Sequence, residues 1–151
     1  IVGLRLARQL SELNTLSVVE KLVSDKSSQV RRECAIALRH EKTSHAARLW
    51  AELAARHDGK DRWYLEALGL SSDLNADACF DAWLARVGEK WNTPAGRDVI
   101  WRVRAKVAPS YLVNTLKDEK TPAETHPRYV RALDFHSGPE KDKALESLLD
   151  I

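Results

Sequence analysis

The chain has 151 residues, 44% of them hydrophobic and 30% charged. That is enough apolar material for one domain with a substantial core, and more than a disordered segment carries. Lys and Arg total 24 against 22 Asp and Glu, a formal charge of +2, so no global field draws the protein to nucleic acid or to an acidic membrane. Any such attraction has to come from a local patch. No apolar run approaches the roughly 20 residues needed to cross a bilayer.

Taken in chain order, helical periodicity recurs and strand alternation is nearly absent. Ile1-Val2-Gly3-Leu4-Arg5-Leu6 already reads as mid-helix, and Leu148-Leu149-Asp150-Ile151 is still apolar. Both ends read as cut, so residues 1–151 are expected to be a single helical domain taken from a longer multidomain chain. Predicted helices cover 2–12, 15–24, 28–39, 43–57, 60–71, 75–92, 95–107, 109–118, 126–136 and 140–150. In the fourth, Ala46, Leu49, Trp50, Leu53 and Ala54 share a face. Ala76, Cys79, Phe80, Trp83, Leu84, Val87 and Trp91 do so in the sixth, and Val99, Ile100, Val103 and Val107 in the seventh. Asp58-Gly59 predicts a helix stop. Thr93-Pro94 and Thr121-Pro122 each set an N-cap oxygen before a helix-starting proline, and Ser137-Gly138-Pro139-Glu140 has the spacing of a capping box. Cys34 and Cys79 fall on apolar stripes as small buried side chains, with a disulfide between them left open.

Alternate helices resemble one another. Val2–Leu10, Val30–Leu38, Lys60–Leu68, Ala95–Val103 and Thr125–Leu133 align as nonamers that end on an apolar residue, at intervals of 28, 30, 35 and 30 residues. A period in that range predicts an all-α solenoid of about five antiparallel helix pairs, in which stacking creates the core.

The stretch from Leu22 to Leu38 resembles a HEAT repeat. Asp25 stands where that family ends its first helix, Val30-Arg31 where the second opens and Ala37-Leu38 near its close. The resemblance implies a right-handed α-α superhelix, the repeated second helices on its concave side, and a structural role for Asp25 and Arg31 as a charge-assisted tie between neighbouring repeats. Asp58 with Arg62, and Asp118 with Arg128, fit that spacing poorly. A narrower likeness lies in Gly59-Lys60-Asp61-Arg62-Trp63-Tyr64-Leu65-Glu66-Ala67-Leu68-Gly69, which is similar to the HEAT region of large secreted planctomycete-type proteins. There a dehydrogenase-like propeller precedes the helices and a haem-binding cytochrome c domain follows. It implies a periplasmic or secreted electron-transfer parent with this segment as spacer. The haem signature itself is absent from these residues, so no cofactor is assigned.

Catalytic and metal motifs are missing. His40-Glu41-Lys42-Thr43-Ser44-His45 approaches the zinc-protease helix motif with one residue too many. Histidines five apart stand about 140° apart on a helix, and Thr43-Ser44 reads as a helix start, so a polar connection is expected there and no metal. No Gly-rich phosphate loop or nucleophile elbow occurs, and no enzyme is expected. What remains is a basic and aromatic set on the repeated second helices: Arg62, Trp63, Arg97, Trp101, Arg104, Arg128 and Arg131. Two expectations compete for it. In one, these residues form a concave binding surface for a protein, an adjacent domain of the same chain or, less favoured, a nucleic-acid backbone. In the other, Trp63 and Trp101 pack between repeats while the arginines pair with Asp61, Asp98 or Glu66.

Overall fold

All but two of the helices, the exceptions starting at Val2 and Ala76, begin at a capping side-chain oxygen or a proline. Asn14, Ser27, Thr43, Asp61 and Thr93 accept backbone N–H bonds from the residue three positions on, satisfying donors that the first turn leaves unpaired. In a computed structural model that describes residues 1–10 and 14–149, these starts yield ten α-helices and no strand among the described residues. They are α1 Val2–Ala7, α2 Thr15–Leu22, α3 Ser28–Ala37, α4 Ser44–Ala54, α5 Arg62–Ser72, α6 Ala76–Val87, α7 Pro94–Arg102, α8 Ala108–Lys117, α9 His126–Ala132 and α10 Pro139–Glu146. The ends of the predicted helices over 2–12 and 140–150 run into residues outside the described ones.

Helices of six to 12 residues are marginal alone and are held by packing. The odd-numbered helices form one row, with α1 against α3, α3 against α5, α5 against α7 and α7 against α9. On the other side α2 touches α4, α4 packs extensively on α6, and α8 meets α10. Phe80 of α6 bridges to Tyr111 of α8, edge to face with ring centroids 5.4 Å apart. Between the rows lie Trp50, Leu53, Tyr64, Leu68, Phe80, Trp83, Ile100 and Leu112, all 2% exposed or less. Two of the three polar tips among them are satisfied across the rows, Trp50 Nε1–H donating to Leu68 O at 2.9 Å and Tyr64 Oη–H to Leu53 O at 2.8 Å, while the Trp83 indole N–H is buried without a partner among the described residues. Cys34 and Cys79 are free buried thiols, pushed by burial up to about 11 and about 12.

Several boundaries differ from expectation, each for a local reason. The seventh helix stops at Arg102, not 107. Arg104 Nη1 donates to the carbonyls of Trp101 and Val103 at 2.9 and 3.1 Å, closing the helix, while Asp77 Oδ1 takes the Lys106 N–H. Val103 remains buried, but Val107 is 42% exposed and stands outside the stripe assigned to it. The sixth helix ends at Val87 and passes into a 3-10 turn, Gly88–Asn92, through Gly88 at φ +53°. α4 ends at Ala54, before Asp58-Gly59. Thr121 does not cap a helix, because α9 starts at His126 after a separate 3-10 turn. Ser137 forms no capping box, and Gly138 occupies the N-cap position of α10 with φ +95°. Thr93-Pro94 behaves as predicted, Thr93 Oγ1 accepting the Gly96 N–H.

Two glycines permit close approach. A Cβ at Gly96 would overlap the Trp91 carbonyl, and one at Gly69 would overlap the Arg102 guanidinium. The first obstacle is backbone and the second is the far end of a flexible side chain. Gly96→Ala should therefore destabilise the protein by about 1–3 kcal/mol in urea unfolding. Gly69→Ala should stay within about 1 kcal/mol, because the better helix propensity of Ala offsets displacement of Arg102. Equal costs for the two would mean that α7 does not sit against Trp91 as described.

Candidate functional site

The odd row carries a chain of polar and aromatic contacts that crosses from helix to helix. The Arg31 guanidinium of α3 lies 5.6 Å from the Tyr64 ring centroid of α5, and Tyr64 stacks at 6.2 Å with His57, in the connection before α5. His57 Nε2 sits 3.1 Å from Asp98 Oδ2 on α7, and Asp98 Oδ1 is 2.8 Å from Arg128 Nη1 on α9. Arg128 in turn covers the Trp101 ring at 4.2 Å, a favourable cation–π distance. Burial pushes the Asp98 carboxyl up, but the His57 hydrogen bond and the adjacent Arg128 outweigh it and hold the group below the ordinary carboxylate range.

The Asp25–Arg31 tie is built differently from what the family likeness implies. Arg31 Nη1 donates to the backbone carbonyls of Asp25 and Lys26, at 2.6 and 3.0 Å, and reaches the next helix only through the Tyr64 ring. The Asp25 carboxylate accepts the Ser27 N–H two residues on. Asp58 and Asp118 do the same with Lys60 and Lys120. Three connections thus share one Asx turn, a recurrence visible as Asp25, Asp58 and Asp118 once the Asp–Arg spacing is set aside.

The seven basic and aromatic candidates divide. Trp63 is 70% exposed and does not pack between helices. Arg62 is exposed as well. Trp101 is half-buried beneath Arg128. Arg97 is not on an accessible ridge at all: it is 6% exposed, with Nε donating to Asn92 Oδ1 at 2.8 Å and Nη2 to Asp118 Oδ2 at 3.0 Å. Its partner lies 21 residues away, at the end of α8. Arg104 is half-buried against Phe135, 4.9 Å from the ring centroid, and burial first, then Arg102, lowers its pKa. Arg131 is exposed on α9 and contacts no acidic side chain among the described residues. Of the acids named as alternative partners, Asp98 takes Arg128, and Glu66 takes Arg102, Nε to Oε2 at 2.9 Å. Asp61 caps α5 instead. His57 and Arg102 are contributors that periodicity does not expose, since each finds its partner 41 or 36 residues away.

Two adjoining hollows open on this row and share Glu66. Arg32, Ile36, Trp63, Ala67 and Leu70 line the first, about 440 Å³ between α3 and α5. The second, about 460 Å³, spans α5, α7 and α9 and is lined by Lys60, Arg62, Leu65, Asp98, Trp101 and Arg128, with His57 and Gly59 behind. The first is chiefly apolar, and the second is mixed, with several charged side chains in its wall. No group of three or more His, Cys, Asp or Glu side chains is placed to hold a metal ion among the described residues. His40 precedes α4 and His45 lies inside it, 3.5 Å from Glu20. No family model, curated protein or solved structure matches this chain.

The division of the arginines has a measurable consequence. Arg97→Ala should cost about 1–3 kcal/mol of stability, because a buried hydrogen-bonded cation is removed from its partners. Arg131→Ala should change stability by less than about 0.5 kcal/mol, as exposed substitutions do. Chemical denaturation of both variants checks this, and a neutral Arg97→Ala would return Arg97 to the surface set.

Proposed function

We propose that the chain is a non-catalytic interaction scaffold, a right-handed HEAT-like solenoid of about five helix pairs that docks a protein or an adjacent domain of its own parent chain. The observation that supports this most is Trp63. A large aromatic side chain held 70% exposed beside an apolar hollow is the kind of residue that anchors protein interfaces. The two helix rows agree with a solenoid, and the Leu22–Leu38 likeness supplies the family. On the narrower likeness around Asp61–Gly69, the segment is the spacer of a periplasmic or secreted haem-containing dehydrogenase-like protein. A secretion signal upstream and a haem motif downstream in the parent gene would carry that version, and a parent with neither would remove it.

Binding of nucleic acid through the same face is the competing reading. A phosphate backbone needs a continuous basic track, whereas Glu66 and Asp98 interrupt this one and the hollow at Trp63 is apolar. Fluorescence anisotropy with a labelled DNA duplex at about 50 mM salt should show no saturable binding. Tight binding that weakens steeply as salt rises, and is lost in Arg62→Glu, would replace the scaffold reading with the nucleic-acid one.

A further inference from the structure

We infer that the twin hollows of the odd row bind an extended acidic peptide segment of a partner protein, one that presents an apolar side chain and a carboxylate about three residues apart. The inference rests on the scaffold reading and names its ligand.

The charges around the hollows do not cancel. Four cations line them, Arg32 in the first and Lys60, Arg62 and Arg128 in the second, against two carboxylates, Glu66 and Asp98. Both carboxylates are already engaged. Glu66 is held by Arg102, and Asp98 is shared between His57 and Arg128. Among the described residues Arg32, Lys60 and Arg62 have no acidic side chain within ion-pair distance. The surface therefore offers positive charge whose natural complement is a carboxylate brought from outside. A basic segment would meet unpaired guanidinium groups.

The chemistry is also ordered in space. Ile36, Trp63, Ala67 and Leu70 give the hollow between α3 and α5 an apolar floor, suited to a Leu, Ile or Phe side chain. The hollow between α5 and α7 carries Lys60, Arg62 and the Arg128–Trp101 pair, suited to an Asp or Glu. Packed helices lie about 8–10 Å apart, and an extended chain advances about 3.3 Å per residue. An extended peptide laid across the helices therefore puts its apolar anchor over one hollow and its carboxylate over the next at a separation of about three positions. Trp63 and Arg62, adjacent in sequence, serve one anchor each.

The test is a peptide-display selection on the purified chain, using a random library and the Trp63→Ala protein for counter-selection. Circular dichroism serves to show that this exposed substitution leaves the fold intact. The expected result is enrichment of acidic sequences with an apolar residue and an Asp or Glu about three positions apart. Synthetic versions should bind with affinities reduced about tenfold or more by Trp63→Ala and by Arg62→Glu, hot-spot changes of ordinary size, and unaffected by Lys21→Ala on α2. Enriched sequences that are basic, or that lack the spacing yet still depend on Trp63, would overturn the ligand while leaving the scaffold reading in place. No enrichment over the counter-selected protein would overturn both. So would sedimentation showing a dimer abolished by Trp63→Ala, which would assign the face to a second copy of the chain.

Discussion

The contact on which the arrangement turns is the Asp98 carboxylate, placed where two helices and a connection meet. It receives His57 from the connection between α4 and α5 and Arg128 from α9, while itself standing on α7. None of these helices exceeds 12 residues, and none buries both faces by pairing with its neighbour in sequence. Their lateral spacing has to be set by side chains reaching from one odd helix to the next. The apolar core between the rows supplies the bulk of the stabilisation but is non-directional. The polar chain from Arg31 through Tyr64, His57 and Asp98 to Arg128 supplies direction, and Arg97 with Asp118 and Arg102 with Glu66 repeat the device elsewhere.

That device also determines what the surface offers. Because Asp98 and Glu66 are consumed in holding helices together, the cations beside them are left in excess, and the same residues that space the helices define the walls of the two hollows. Trp63 then stands out for a physical reason. Its neighbour Tyr64 points inward to Leu53, so the helical turn carries the indole outward, over the apolar gap between α3 and α5. The proposed recognition surface and the structural seam thus occupy the same helices.

Much of the fold was legible beforehand, because the helical period survives in short segments and proline and Thr93 mark their starts. The buried faces of α4 and α6 follow from the helical spacing of Ala46, Leu49, Trp50, Leu53 and Ala54 and of Cys79, Phe80 and Trp83. What periodicity does not carry is partner identity across the stack. Arg97 and Arg62 occupy comparable places in their nonamers, yet one is buried against Asp118 and the other is exposed with no acidic partner among the described residues, a difference set by a residue at the end of another helix. Trp63 and Trp101 diverge for the same reason, Arg128 covering only the second. The early end of α7 turned on the Arg104 guanidinium, whose bonds to two carbonyls leave no trace in the hydrophobic pattern.

The measurement that bears most directly on this account is a double-mutant cycle on stability between His57 and Asp98, with Arg128 and Asp98 as a second cycle. Residues that act as one cross-helix unit are non-additive. A coupling of about 1 kcal/mol or more is expected for the buried His57–Asp98 pair, and a smaller one for Arg128, whose side chain is 40% exposed. Additivity of the His57 and Asp98 substitutions within about 0.5 kcal/mol would contradict it, and would leave the helix rows held by apolar packing alone.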